Sequence, residues 1–63
     1  MREKWWVSFP SRYGWMTTGW DVVDGIVRET YTAAPELRGM TISRALAVLR
    51  RCCGDALLAE KLP

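Results

Sequence analysis

The side chains that could perform catalysis are few in this sequence, and their spacing forms no catalytic set. Histidine, the commonest general base and nitrogen ligand for metals, is absent from the 63 residues. A serine or threonine nucleophile needs a base, and the two lysines, Lys4 and Lys61, both lie near the chain termini. Asp21 and Asp24 are close in sequence to Arg28, which is typical of a solvated surface rather than of an acid–base pair in a cleft. We therefore expect a protein that is not an enzyme.

The two cysteines, Cys52 and Cys53, offer neither a structural disulfide nor a metal site. A disulfide between adjacent residues would close a minimal, strained ring, and two thiols alone do not complete a structural zinc site. We expect both thiols to pack as small apolar groups, the alternative being a reactive thiol beside Arg50 and Arg51. The five glycines form no phosphate-binding loop or dinucleotide fingerprint. The sequence thus predicts no cofactor and no metal.

Composition predicts one small folded domain that spans residues 1–63. Hydrophobic residues make up 49% of the chain and charged residues 25%, close to average globular usage. No apolar run approaches the roughly 18 residues that cross a bilayer, and the N-terminus lacks the uninterrupted apolar stretch of a signal peptide. We therefore expect a cytoplasmic protein that makes no contact with membranes.

The N-terminal part of the chain predicts a β-hairpin. Residues 4–9 are rich in strand-forming side chains and stop at Pro10, which cannot donate a hydrogen bond to a neighbouring strand. Residues 10–14 are typical of a turn, and residues 15–17 would return as the second strand.

Strand alternation singles out one tryptophan as a candidate binding residue. All four tryptophans lie in the first third of the chain, more than a small core readily encloses. On a strand, Trp5, Val7 and Phe9 would share the core face, whereas Trp6 would point away from it. An exposed tryptophan beside basic and aromatic residues is typical of interface hot spots. The candidate site on this face consists of Trp6, Lys4, Arg12 and Tyr13.

Residues 18–34 fit two structures. As a helix, they would begin at a Thr18 cap and place an apolar stripe on one side, with Pro35 enforcing a stop. As strands, they would form a hairpin whose turn is Asp24-Gly25. We favour the helix, because the hairpin alternates cleanly over only a few residues.

The clearest element is a helix that begins after Thr41, which can cap it. Its apolar residues recur at three- and four-residue spacing and would face the core. They are Ile42, Ala45, Leu46, Leu49, Cys52, Cys53, Ala56 and Leu57. Gly54 weakens the helix near its end, so that the helix either ends there or continues to about Glu60. The predicted fold class is α+β, a small N-terminal β-hairpin packed on two helices; the alternative is a four-stranded meander plus one C-terminal helix.

Charge is distributed unevenly along the chain, although the net charge is only +2. Residues 18–36 carry four acids and one arginine, whereas residues 37–53 carry four arginines and no acid. Arg44, Arg50 and Arg51 lie on the predicted last helix and are candidate residues for binding an acidic partner, either protein or nucleic acid. The alternative is that these charges complement each other within the fold or only keep the helices soluble.

Residues 31–51 resemble the second and third helices of a helix-turn-helix regulator. In this resemblance Gly39 lies in the turn and the helix after Thr41 is the reading helix. It implies that Thr41, Ser43 and Arg44 would contact DNA, so that nucleic acid is the second predicted partner.

A second resemblance is one of format only. A chain of this size, with excess tryptophan and no catalytic set, is similar to the small inhibitors encoded by phages and mobile elements, including anti-CRISPR proteins. This resemblance implies binding to a surface of a larger host protein or protein complex, and the net charge of +2 argues against a DNA mimic. The sequence therefore predicts a protein-binding module, with a helix-turn-helix DNA-binding regulator as the alternative.

Overall fold

The computed structural model describes residues 1–31 and 34–63, which form an antiparallel sheet with a helix packed on one face. The main elements are β1 (Arg2–Ser11), β2 (Gly14–Val23), β3 (Ile26–Glu29), α1 (Ile42–Cys53) and β4 (Leu58–Lys61). The first three strands form a meander, and β4 returns after the helix to pair antiparallel with β1. The strand order is therefore β3-β2-β1-β4. Short 3-10 turns at Pro35–Leu37 and Gly54–Ala56 flank α1.

The α+β class is confirmed, but the predicted helix over residues 18–34 is wrong. The first part of this segment continues β2, and Asp24 and Gly25 form the turn into β3. Both turn residues have positive φ angles, 53° and 79°, as a tight hairpin turn matched to strand twist requires. The hairpin prevails because β2 pairs with β1 along its whole length, which buries Trp20 and Val22. This long-range pairing outweighs the local helical periodicity.

The alternative, a sheet of four strands with one helix, fits the structure, except that the helix precedes the fourth strand instead of ending the chain. The fourth strand, β4, follows α1 and pairs with Trp5 to Ser8 of β1. For this part of the chain, the sequence predicted either a continuation of the helix or its end. Gly54 ends the helix with a φ of 61°, a conformation that glycine adopts without strain. At the other end, Thr41 caps α1 as predicted, since its Oγ1 accepts a hydrogen bond from the Arg44 backbone N–H at 3.2 Å.

Strand β1 is longer than predicted and runs through Pro10 to Ser11. It pairs with β4 only as far as Ser8, so β1 is an edge strand on that side at Pro10. Proline is tolerated at such an edge, because no strand on that side needs a hydrogen bond from its nitrogen, which carries no hydrogen.

The core lies between α1 and one face of the sheet. Its buried members are Val7, Phe9, Trp20, Val22, Val27, Leu37, Ala45, Leu49 and Leu57. The predicted alternation of β1 is confirmed for Val7 and Phe9, and Trp5 packs against the core while only partly buried. No helix in the described part of the chain is long and apolar enough to cross a membrane. Helix α1 covers only one face of the sheet, and the opposite face carries exposed side chains, among them Trp6, Trp15 and Leu58.

The packing expected for the thiols is right for one cysteine and wrong for the other. Cys53 is half-buried against the core, with its Sγ 3.9 Å from the Pro10 carbonyl oxygen, whereas Cys52 is exposed. Adjacent residues on an α-helix point about 100° apart, so only one of the two can face the sheet.

This difference predicts unequal effects of substituting the two thiols. Cys52→Ser is expected to leave the free energy of unfolding within about 0.5 kcal/mol of the wild type. Cys53→Ser is expected to lower it by about 1–2 kcal/mol, because it places a hydroxyl against apolar neighbours. Urea denaturation followed by circular dichroism measures both values. Equal losses in the two variants would contradict this assignment.

Candidate binding surface on the open sheet face

The side of the sheet opposite α1 carries several exposed aromatic and apolar side chains. We call it the open sheet face. From the strand register its members are Lys4, Trp6, Ser8, Trp15, Thr17, Gly19, Asp21, Leu58 and Glu60, with Tyr31 and Leu62 at its margin. Trp6 is 46% exposed, Trp15 56% and Leu58 60%. Several large apolar side chains exposed on one face mark an interaction surface more often than a solvated one.

Trp6 lies at the middle of this face. It is on β1, opposite Gly19 of β2 and Glu60 of β4. Gly19 has no side chain, and a Cβ atom built there would come no closer than 3.9 Å to the Trp6 ring. No side chain at position 19 covers the indole, and the edge of the ring reaches over the glycine.

Two hollows lie beside Trp6, and its side chain contributes to both. The first has a volume of about 500 Å³ and is lined by Lys4, Trp6, Thr17, Thr18, Gly19, Tyr31 and Leu62. The second has a volume of about 330 Å³ and is lined by Trp6, Ser8, Leu58, Ala59 and Glu60. Trp6 thus forms the ridge between a hollow over Gly19 and a hollow beside Glu60.

Most of the polar and charged groups next to Trp6 are bonded to each other. The Lys4 ammonium lies 2.9 Å from Asp21 Oδ1 and 5.4 Å from the centre of the Tyr31 ring. The Tyr31 hydroxyl donates a hydrogen bond to Asp21 Oδ2 at 2.6 Å. The pKa of Asp21 is lowered, first by the hydrogen bond from Lys4 and next by the one from Tyr31. The pKa of Lys4 is raised, mainly by its hydrogen bond to Asp21. Lys4 is therefore not a free cation.

The low pKa of Asp21 predicts how this network responds to pH. The pKa of Asp21 in the folded protein is below the ordinary value of 3.8, so the ionised carboxyl stabilises the fold at pH values above that ordinary pKa. This stabilisation is lost as the pH falls through the pKa of Asp21 in the folded protein. Lys4→Met is expected to move the Asp21 pKa back toward 3.8, as measured by NMR titration of the carboxyl carbon. In the control Lys61→Met, whose lysine pairs with Glu3, the Asp21 pKa should not change. An unchanged Asp21 titration in Lys4→Met would show that Lys4 does not set it.

The structure divides the predicted site residues among three places. Lys4 and Trp6 lie together on the open sheet face. Arg12 and Tyr13 form the exposed β1–β2 turn at one end of the sheet, with Tyr13 86% exposed. The exposed arginines of α1 lie on the side of the sheet away from Trp6; they are Arg44, Arg50 and Arg51. A single surface that contains all seven residues is therefore excluded by the topology.

In the described part of residues 31–51, no α-helix corresponds to the second helix of a helix-turn-helix regulator. Of the described residues in this stretch, only Pro35–Leu37 and Ile42 onward are helical, and the former is a single 3-10 turn. The predicted reading helix is α1, whose inner side packs on the sheet through Ala45 and Leu49.

Several members of the open sheet face were missed by the sequence prediction. Trp15 could have been found, because alternation along β2 places it on the same side as Thr17. Tyr31 follows β3 with a positive φ of 60° and reaches Asp21 with its hydroxyl, a placement that no local pattern indicated. Leu58 and Glu60 belong to it only because β4 pairs with β1.

The open sheet face carries more negative than positive charge. Its charged members are Lys4, Asp21 and Glu60, and of the ion pairs between described residues none involves Glu60. No group of His, Cys, Asp or Glu side chains in the described ranges could hold a metal ion. No protein-family model matches the chain, and comparisons with curated proteins and with solved structures find no match either.

Proposed function

We propose that this protein is a non-catalytic module that binds a partner protein through the open sheet face. The supporting observation is Trp6, which is 46% exposed in the middle of a face that α1 leaves uncovered. Tryptophan is enriched among the few residues that dominate binding energy in protein interfaces, and it acts from the centre of the contact. Trp15 and Leu58 extend the apolar area around it.

The charge of this face favours a protein over a nucleic acid as partner. Sheets that bind single-stranded nucleic acids combine stacking rings with free cations that track the phosphates. Here Lys4 is held by Asp21, and Glu60 adds a second carboxylate beside Trp6. A phosphate backbone would meet uncompensated negative charge at the centre of this surface.

DNA binding through α1 is the second candidate function. Its supporting observation is that Arg44, Arg50 and Arg51 are exposed and take part in no ion pair between described residues. Arg44 and Arg51 are seven positions apart and therefore on one side of the helix, about 10 Å from each other along its axis. Exposed arginines in this arrangement suit phosphate contacts.

The similarity in format to phage and mobile-element inhibitors extends the first proposal. On that basis the partner is a larger host protein or complex, and the bound module occupies a surface that this partner needs. This extension is based on the excess of tryptophan, four residues in the sequence, and is assigned to no particular residue.

Co-purification from a bacterial lysate with three tagged baits tests the proposal. The wild type and a triple variant with Arg44, Arg50 and Arg51 changed to alanine are expected to retain one stoichiometric protein, whereas Trp6→Ala should lose it. Binding of salt-sensitive nucleic acid that disappears in the triple variant would instead support the second candidate. Retention of the same protein by Trp6→Ala would contradict the use of the open sheet face.

A further inference from the structure

We infer that the open sheet face binds a partner helix that presents one apolar and one basic side chain, placed on either side of Trp6. This inference rests on the proposed function and specifies the chemistry of the partner. Three features carry it: the hollow over Gly19, the uncompensated carboxylate of Glu60, and the spacing of Gly19 and Glu60 on either side of Trp6.

The hollow over Gly19 suits an apolar side chain. Its floor is the glycine backbone, and its walls include the Trp6 and Tyr31 rings and Leu62. The polar groups nearest to it are already bonded, since Lys4 and the Tyr31 hydroxyl both contact Asp21. An apolar group that enters would therefore leave no new polar atom unpaired.

The hollow beside Glu60 suits a cation. Trp6 and Leu58 give it apolar walls, and Glu60 places a carboxylate at its edge. Neither nearby lysine neutralises this carboxylate, because Lys4 pairs with Asp21 and Lys61 lies 3.4 Å from Glu3 Oε2. A guanidinium or ammonium here could stack on the indole and pair with Glu60 at the same time.

The spacing of Gly19 and Glu60, one lining residue from each hollow, suits a helix. Both lie opposite Trp6 on the strands that flank β1, so two strand spacings, roughly 10 Å, separate their backbones. Residues seven apart on a helix point to the same side and are about 10.5 Å apart. In an extended segment, residues two apart span only about 7 Å, and residues three apart point to opposite sides. A small residue midway along the helix would leave room for the Trp6 ring.

A second copy of this chain does not supply such a helix. The exposed arginines at the C-terminal end of α1 are Arg50 and Arg51, and the residues seven positions before them are Ser43 and Arg44. Neither is apolar. The inference therefore requires a different protein as partner.

A displayed library of alanine-based helical peptides, selected against the full chain, tests the inference. The library randomises positions i, i+4 and i+7. We expect enrichment of a large apolar residue at one end position, Arg or Lys at the other, and a small residue between them. A selected pool rich in acidic residues, or no enrichment at all, would overturn the inference.

Variants then test each hollow with one selected peptide. Gly19→Leu fills the first hollow and is expected to weaken binding at least tenfold, whereas Gly19→Ala should bind nearly as well, since its Cβ would make only ordinary contacts. Glu60→Gln should also weaken binding about tenfold and reduce its salt dependence. The control Glu36→Gln changes an exposed carboxyl in the Pro35–Leu37 turn and should bind like the wild type. Thermal melting of each variant checks that it is folded.

The outcomes separate this inference from the proposed function. If Trp6→Ala abolishes peptide binding but Gly19→Leu and Glu60→Gln bind like the wild type, the two-hollow inference fails and the proposed function stands. If Trp6→Ala leaves peptide binding unchanged, the two-hollow inference fails, and the proposed function fails as well only if Trp6→Ala also retains the co-purified protein.

Discussion

Trp20→Ala is expected to lower the free energy of unfolding by about 3–5 kcal/mol, the usual cost of truncating a fully buried aromatic side chain. Trp20 is 0% exposed and lies on β2, between β1 and β3 in the sheet, where its ring is part of the core under α1. A domain of this length has about 3–9 kcal/mol of stability in total. The variant should therefore be largely unfolded at physiological temperature, as measured by urea denaturation and thermal melting.

Trp15→Ala is the matched control for this prediction. Trp15 is on the same strand but points to the open sheet face and is 56% exposed. Its replacement should cost no more than about 1 kcal/mol. Similar melting temperatures for Trp15→Ala and Trp20→Ala would mean that the core does not lie between the sheet and α1.

Trp6→Ala is expected to have the opposite profile, a large loss of binding with little loss of stability. Truncation of a central interface tryptophan costs roughly 2 kcal/mol or more, which corresponds to about a thirtyfold weaker affinity. Because the ring is 46% exposed in the free protein, its removal leaves no closed cavity in the core. Isothermal titration calorimetry with the co-purified partner gives the affinity, and thermal melting gives the stability.

Leu58→Ala provides a control on the same face. Leu58 is 60% exposed and lines only one of the hollows beside Trp6. We expect a smaller loss of affinity than for Trp6→Ala, as for residues that surround a hot spot. If Trp6→Ala instead destabilises the protein as much as Trp20→Ala, Trp6 belongs to the core and the open sheet face loses its central residue.

Signals that act over a few neighbouring residues were predicted well from the sequence. The Thr41 side chain caps α1 as predicted, because a cap stabilises a helix start through its own backbone neighbours. Gly54 ends the helix at a positive φ, one of the two outcomes that the sequence had left open. The exposure of Trp6 follows from the alternation of β1, since successive side chains on any strand point to opposite faces.

Strand pairing was decided by the tertiary structure. Residues 18–23 have a plausible helical stripe, but they extend β2 because β1 offers a partner along their full length and α1 covers the side chains that this pairing directs inward. The hydrogen bonds and burial that distinguish the two structures come from residues distant in sequence, so periodicity within the segment could not rank them.

The composition of the open sheet face depends partly on the local sequence and partly on the tertiary structure. The amino-acid sequence by itself determined that Trp6 points away from the core and that α1 begins after Thr41, because these are properties of a single strand and a single helix end. Only the tertiary structure placed Glu60 beside Trp6, across a separation of more than fifty residues. That contact depends on α1 turning the chain back so that β4 can bond to the free edge of β1, and no local preference of either strand specifies it.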